Sequence, residues 1–263
     1  MRNDAISIVS RKLGISKEEF HQNYESIGRA MIIREEDQFS KDEGYFGKLM
    51  LSSFKFWSVY KYTGIHSSRR IPAMKIISGI HTEVVQSEDG ILYKMDPERV
   101  MFSKGNKKER HLLTEIVARH ETVLDMFSGI GYFSIPLSFR VKRVFSCEIN
   151  PDSFHYLIMN VKLNGVRNLV PMLGDSAQLP MKQFADRIIM GHFGSQRYLK
   201  KALSYMKEEG TIHLHLLIDR SQYSSLIDEY SIYKFVTGAR VRKVKSYSPS
   251  HDHVVLDLDV KKH

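Results

Sequence analysis

The 263-residue chain has one cysteine (Cys147), one tryptophan (Trp57) and only seven prolines. A lone cysteine excludes an internal disulfide and any cysteine-rich metal site. No stretch approaches the roughly 18 to 20 uninterrupted apolar residues of a membrane-spanning helix. The opening Met1-Arg2-Asn3-Asp4-Ala5 carries no apolar run of the secretory kind. What is present argues for a packed fold: 42% of residues are hydrophobic and 11% aromatic. That supplies a real core and is too apolar for a disordered chain. The composition points to a soluble, intracellular protein, expected in the cytoplasm.

The charge is uneven. Lys plus Arg number 39 against 30 Asp plus Glu, a net +9. Residues 1–100 carry 15 basic and 14 acidic side chains, whereas residues 101–263 carry 24 and 16. A basic field of this size favours a polyanionic partner, RNA or DNA being the usual one, although a lysine-rich enzyme surface would read the same way.

Two textures divide the chain near residue 100, giving an expected N-terminal α+β domain (1–100) and a second domain (101–263). In the first, residues 4–13 and 17–31 read as helices with Asn3 and Ser16 as N-caps. The run Glu25–Arg34 has strand character, and Phe46–Tyr62 has helical spacing. Met74–Ile77, Thr82–Gln86 and Ile91–Lys94 are strand-like, with a hairpin turn at Glu88-Asp89-Gly90. In the second half β and α alternate: strands at 123–127, 144–147, 169–173, 186–190 and 211–218, with helices at 151–164 and 196–208 between them. Residues 241–247 and 254–260 close with a hairpin. This rhythm predicts an α/β fold with a Rossmann-like, mostly parallel sheet and a C-terminal antiparallel hairpin.

The chemistry lies at the strand ends. Asp125-Met-Phe-Ser-Gly129-Ile-Gly131-Tyr-Phe-Ser follows a predicted strand and opens a helix, where glycines admit close backbone approach and helix N–H groups face a ligand. It lacks the third glycine of the dinucleotide fingerprint. Glu148 ends the second strand, where an acid hydrogen-bonds ribose hydroxyls, and Asp175 ends the third, within reach of an adenine amino group. Phe127, Ile149 and Ser176 flank these groups and count with them. Three strands converging on one nucleoside is the pattern of class I S-adenosylmethionine (SAM) enzymes more than of NAD enzymes. Chance acids on an ordinary Rossmann-like fold are the bland alternative.

Asp125-Met-Phe-Ser-Gly-Ile-Gly-Tyr-Phe-Ser, Glu148-Ile-Asn-Pro, the Asn160/Asn164 helix end and the tail from Tyr247-Ser-Pro to His253-Val-Val-Leu-Asp-Leu together resemble one tRNA-modifying group. It comprises the archaeal and eukaryotic tRNA guanine-37 N1-methyltransferases and the related wybutosine-synthesising aminocarboxypropyltransferases. The resemblance runs from about residue 24 to the C-terminus. Two places favour the second branch. Asp186-Arg-Ile-Ile-Met190-Gly191-His192-Phe193 resembles its Asp-Arg-hydrophobic-hydrophobic-Met/Leu-Gly, where the methyltransferases carry Asn-Leu-Pro. Phe102-Ser103-Lys104-Gly105-Asn106-Lys107-Lys108-Glu109-Arg110 resembles its Phe-Ser-Pro-x-Asn-x-x-Glu-Arg, with Lys104 replacing proline. The catalytic arginine of the methyltransferases' Phe-Asn-Pro-Arg becomes Gly105.

The resemblance implies transfer of the 3-amino-3-carboxypropyl group from SAM to a wyosine-type guanosine at position 37 of tRNA, with release of 5′-methylthioadenosine. The alternatives are guanine-37 N1-methylation or a catalytically silent RNA-binding module. Ser103 and Arg110 become candidates for the methionine end of SAM, since a guanidinium grips a carboxylate bidentately. A surface pair of Arg110 with Glu109 or Glu115 is the competing reading. Lys104, Lys107 and Lys108, with Arg240, Arg242, Lys243 and Lys245, are candidate phosphate contacts. His213 and His215 alternate with leucines, as core or surface packing residues rather than metal ligands, and no metal is expected. Tyr132 and Phe133 are expected in the core, Trp57 is expected buried in the N-terminal domain with stacking on a base as the alternative, and the protein is expected to be a monomer.

Overall fold

In the computed structural model the described residues are 2–22, 24–34, 42–66, 71–102 and 104–262. The chain separates into two compact units, Met1–Phe102 and Ser103–His263.

The first unit opens with α1 (Arg2–Leu13) and α2 (Lys17–Gln22). Asn3 lies inside α1 rather than capping it. Ser16 does cap α2, its Oγ accepting from the Glu19 N–H at 3.0 Å. The helix expected through residue 31 stops at Gln22, and β1 (Tyr24–Ile27) and β2 (Ala30–Arg34) form a hairpin. Gly28 makes that turn at φ +55°, where a Cβ would lie 2.5 Å from the Val85 carbonyl oxygen. Asp42 caps α3 (Glu43–Ser53). The helix expected from Phe46 to Tyr62 gives way to β3 (Ser58–His66), because the buried pair Val59-Tyr60 is claimed by the sheet. With β4 (Ile71–Gly79), four strands run in the order β1-β2-β3-β4. Ile6, Val9, Phe46, Met50, Met31 and Val59 join helices and sheet in one core. β5 (Val84–Glu88) and β6 (Ile91–Met95) form the expected hairpin, with Asp89 and Gly90 at φ +51° and +82°. Trp57, expected to be buried, is exposed, with the Arg29 guanidinium 4.6 Å from its ring centroid.

The second unit holds α4 (Lys107–Ile116), β7 (Thr122–Asp125), α5 (Ser134–Ser138), β8 (Arg143–Glu148), α6 (Pro151–Leu163), β9 (Leu169–Leu173), β10 (Ala185–Met190), α7 (Leu199–Tyr205), β11 (Met206–Asp219), α8 (Tyr223–Ser231), β12 (Val236–Ser246) and β13 (His251–Lys261). Strand order is β12-β13-β11-β10-β7-β8-β9. The five strands from β9 to β11 are parallel, and β13 runs antiparallel between β11 and β12. This is the mostly parallel α/β sheet with a terminal hairpin that the sequence predicts. The helix expected over 196–208 starts as a 3-10 turn and yields at Met206 to β11, which is 14 residues long. α8 was not anticipated.

Alternation along β11 sorts its faces. Ile212, Leu214 and Leu216 join Leu199, Leu203, Leu226 and Tyr230 of α7 and α8 in one core. His213 and His215 are buried on the other face, with the His215 ring 5.3 Å from that of Phe133. From β7 the chain builds outward to β8 and β9, then returns to β10 on β7's other side. That reversal opens a crevice at the carboxyl ends of β7 and β10, where open α/β sheets bind ligands. Among the described residues no helix is long and apolar enough to cross a membrane.

Candidate functional site

The loop after β7 is built around Asp125. Its carboxylate is fully buried, accepting from the Ser134 Oγ at 2.7 Å and from the Phe127 N–H at 3.3 Å. Burial pushes its pKa up to about 7. Asp125 therefore ties the loop's two ends together from beneath. Gly129 and Gly131 sit at φ +57° and +101°, and a Cβ on Gly131 would meet Ile135 Cδ1 at 2.6 Å. Asn160 of α6 donates to the Ile130 carbonyl at 3.2 Å, bracing the loop from its outer side.

Glu148 completes this frame. One carboxylate oxygen accepts from the Gly129 N–H and the other from the Asn150 N–H, both at 2.7 Å. Burial raises its pKa. The Ile149 backbone N–H also faces this carboxylate, which keeps lone-pair capacity for further donors. Asp175 caps the 3-10 turn Ser176–Gln178, accepting from the Ala177 N–H at 2.9 Å, and Ser176 is buried behind it. The three acids converge: the Cys147 thiol is pushed up to about 12 by burial and by the charges of Glu148, Asp125 and Asp175. Ile149 next to Glu148 is exposed, an apolar surface at the crevice rim. Phe127 packs between His192 and Tyr198, its ring centroid 5.4 and 5.8 Å from theirs, linking the loop to the end of β10.

Arg110, in the first turn of α4, is only 4% exposed, which removes the solvated location assumed by the surface-pair reading. Its guanidinium lies 5.9 Å from the ring centroid of Tyr132, so α4 packs its arginine on the glycine loop. Glu109 is gripped by Arg242, whose Nη1 and Nη2 donate at 2.8 and 2.9 Å, while Glu115 meets His111 at 3.2 Å. Ser103 lies outside the described residues.

Residues 84–245 match the TRM5/TYW2 methyltransferase domain family. The chain is 36% identical over 244 residues to the tRNA(Phe) (4-demethylwyosine(37)-C(7)) aminocarboxypropyltransferase of Methanocaldococcus jannaschii, spanning 89% of this chain and 96% of that one. The chain belongs to this family. The crystal structure of M. jannaschii TYW2 in complex with AdoMet is similar at a TM-score of 0.74 and 31% identity, over 92% of this chain and all of that one. The tRNA (guanine(37)-N(1))-methyltransferase Trm5b of Pyrococcus abyssi is 31% identical over 90% of this chain and 74% of its own length.

Within the TRM5/TYW2 family the two branch-distinguishing places acquire geometry. A side chain at Gly105 would begin against Lys245 Nζ, so a lysine from β12 already fills the space above that position. Gly191 lies under the Phe133 ring, where a Cβ would meet Cε2 at 3.0 Å, so the β10 end can pass close to the glycine loop.

The phosphate candidates fare unequally. Lys107 and Lys108 are exposed at the start of α4, and Lys104 opens the 3-10 turn before it. Arg242, by contrast, is engaged by both Glu109 and Asp257, with its side chain 27% exposed. Arg240 pairs with Asp259 at 2.8 Å and Lys243 with Asp252 at 2.9 Å, each from a side chain still about half or more exposed.

Sequence reading missed two buried polar groups on this face of the sheet. His213 Nδ1 lies 2.6 Å from Asp257 Oδ1 and its Nε2 2.7 Å from Arg187 Nη1. His215 Nδ1 lies 3.0 Å from His253 Nε2, and the Phe193 ring stands edge-on to His253 at 4.8 Å. The alternation of His213 and His215 was a signal for burial. Their partners, about 40 residues away, were not readable without the β11–β13 register.

Proposed function

We propose that the protein transfers the 3-amino-3-carboxypropyl group of SAM to C7 of the 4-demethylwyosine at position 37 of tRNA. The observation that carries this reading is the match to the M. jannaschii aminocarboxypropyltransferase across 96% of that protein. Gly105 and Met190-Gly191-His192, where the methyltransferase branch carries arginine and Asn-Leu-Pro, support the same choice.

The residues present fit SAM. Glu148 is a buried acceptor whose remaining lone pairs suit two ribose hydroxyls, and Asp175 stands at the next strand end for the adenine amino group. Exposed Ile149 offers an apolar face to the base. Arg110 is the candidate for the methionine carboxylate, the contact that would aim the arm. When bound, SAM supplies a sulfonium that activates the γ-carbon of that arm. With SAM bound, a C7–Cγ bond would form as the Cγ–S bond breaks, its electron pair leaving on the sulfur of 5′-methylthioadenosine and the C7 proton passing to solvent. The protein's part is orientation: which of three activated carbons faces the base decides whether a methyl or an aminocarboxypropyl group moves. Lys104, Lys107, Lys108, Arg240, Lys243 and Lys245 are the phosphate contacts in this reading. The protein is expected to act as a cytoplasmic monomer.

The test is the nucleoside co-product after incubation with SAM and tRNA bearing the wyosine precursor. 5′-Methylthioadenosine is expected; S-adenosylhomocysteine would assign the protein to guanine-37 N1-methylation.

A further inference from the structure

We propose that Arg242 is a positioning residue for the transfer: it fixes Glu109, and with it the first turn of α4, so that Arg110 stands over the glycine loop. The inference rests on the reading of Arg110 as the methionine-carboxylate contact.

The Arg242 guanidinium holds two carboxylates at once. Nη1 and Nη2 donate to Glu109 Oε2 and Oε1 at 2.8 and 2.9 Å, and Nε and Nη2 donate to Asp257 Oδ2 and Oδ1 at 2.5 and 3.0 Å. Glu109 is 3% and Asp257 5% exposed. The network continues inward, and its polarity can be assigned. Arg187 Nη1 can only donate, so His213 Nε2, 2.7 Å away, must accept. The one proton of neutral His213 then sits on Nδ1 and is donated to Asp257 Oδ1 at 2.6 Å. Arg187 Nε and Nη2 donate in turn to Glu121 at 2.7 and 2.9 Å.

Glu109 and Glu121 bracket the segment that carries α4 into β7. Each end is fastened by an arginine, and the two arginines are joined through His213 and Asp257. Buried ion networks add little net stability over well-packed apolar groups of the same volume. Their particular product is fixed geometry, because a guanidinium forked onto a carboxylate sets plane and direction as well as distance. Arg110 is the next residue after Glu109, and a displacement of about 1 Å in a positioning group can cost about a hundredfold in rate.

The test compares Arg242→Lys, which keeps the charge but not the fork, with Glu109→Gln/Arg242→Gln, which removes one charge of each sign and leaves Asp257 to His213 Nδ1. Dissociation constants are measured for SAM and for 5′-methylthioadenosine, with kcat, KM for tRNA, its salt dependence and the melting temperature. Both variants are expected to lose at least tenfold in SAM affinity or kcat while affinity for methylthioadenosine stays within twofold. KM for tRNA and its salt dependence should not change. Equal weakening of both ligands, or a melting-temperature loss with SAM affinity and kcat intact, would make the network merely structural. A raised KM for tRNA with a shallower salt slope would return Arg242 to the phosphate contacts. Arg110→Ala run in parallel separates the two readings. If it fails to distinguish SAM from methylthioadenosine, the carboxylate assignment falls and this inference with it. If it distinguishes them and Arg242→Lys does not, positioning by Arg242 alone is overturned.

Discussion

Replacing Glu148 by glutamine changes little in volume but turns one of two carboxylate oxygens into an NH2 donor. In the native protein those oxygens accept from the Gly129 and Asn150 N–H groups, both at 2.7 Å. Whichever way the new amide turns, a donor faces a donor, and one lone pair intended for a ribose hydroxyl is gone. A hydrogen bond to a charged group contributes about 1.5–3 kcal/mol, so SAM affinity should fall about ten- to hundredfold. The ribose is common to SAM and 5′-methylthioadenosine, so both should weaken by a similar factor. The frustrated backbone N–H should also cost about 1–3 kcal/mol of stability, a fall of several degrees in melting temperature at about 2–4 °C per kcal/mol. Isothermal titration with both ligands, alongside a thermal melt, reads all three quantities. Unchanged dissociation constants would remove Glu148 from the ribose, and a loss confined to SAM would move it to the methionine arm.

Arg110→Ala should weaken SAM about ten- to hundredfold while leaving methylthioadenosine, which lacks the carboxylate, nearly unaffected; Arg110→Lys should restore only part of the loss. Asp125 has a pKa of about 7 in the fold against 3.8 for the free group. The folded state thus holds its proton more tightly, and the carboxyl's contribution to stability falls as pH rises from about 4 to about 7, by at most about 4 kcal/mol. Asp125→Asn should accordingly be less costly at pH 8 than at pH 5 in urea unfolding; an equal cost at both would show that Asp125 ionises normally. tRNA binding should weaken steeply with salt, and Lys107→Ala/Lys108→Ala should reduce the log–log slope by about 0.7–0.9 for each phosphate that is no longer neutralised. An unaltered slope would leave those lysines as a solvated surface.

The second unit was readable because its β/α rhythm and its local punctuation agree. Leu169–Leu173 is bounded by Asn168 and Gly174, and Asn150-Pro151 starts α6 with a capping side chain and a first-turn proline. The first unit was less readable, since short apolar runs such as Met31-Ile32-Ile33 and Val59-Tyr60 fit a helix or a strand until neighbouring strands claim them. At the site, residue type marked the glycine loop and the acids at the strand ends, but not how deeply each acid lies. Asp125 and Glu148 look alike in sequence, and only burial separates the carboxylate under the loop from the one at its mouth. The carboxylate partners of Arg242 were not legible either, because an arginine on a strand in a basic tail reads as surface. Its partner Glu109 lies 133 residues away, a pairing that only the folded sheet creates.

The most direct measurement of aminocarboxypropyl transfer is the fate of label on tRNA carrying the 4-demethylwyosine precursor, using SAM labelled either on the methyl carbon or on the carboxyl carbon. The carboxyl label is expected to enter tRNA and the methyl label to leave with methylthioadenosine. Entry of the methyl label, with the carboxyl label retained in S-adenosylhomocysteine, would contradict that transfer.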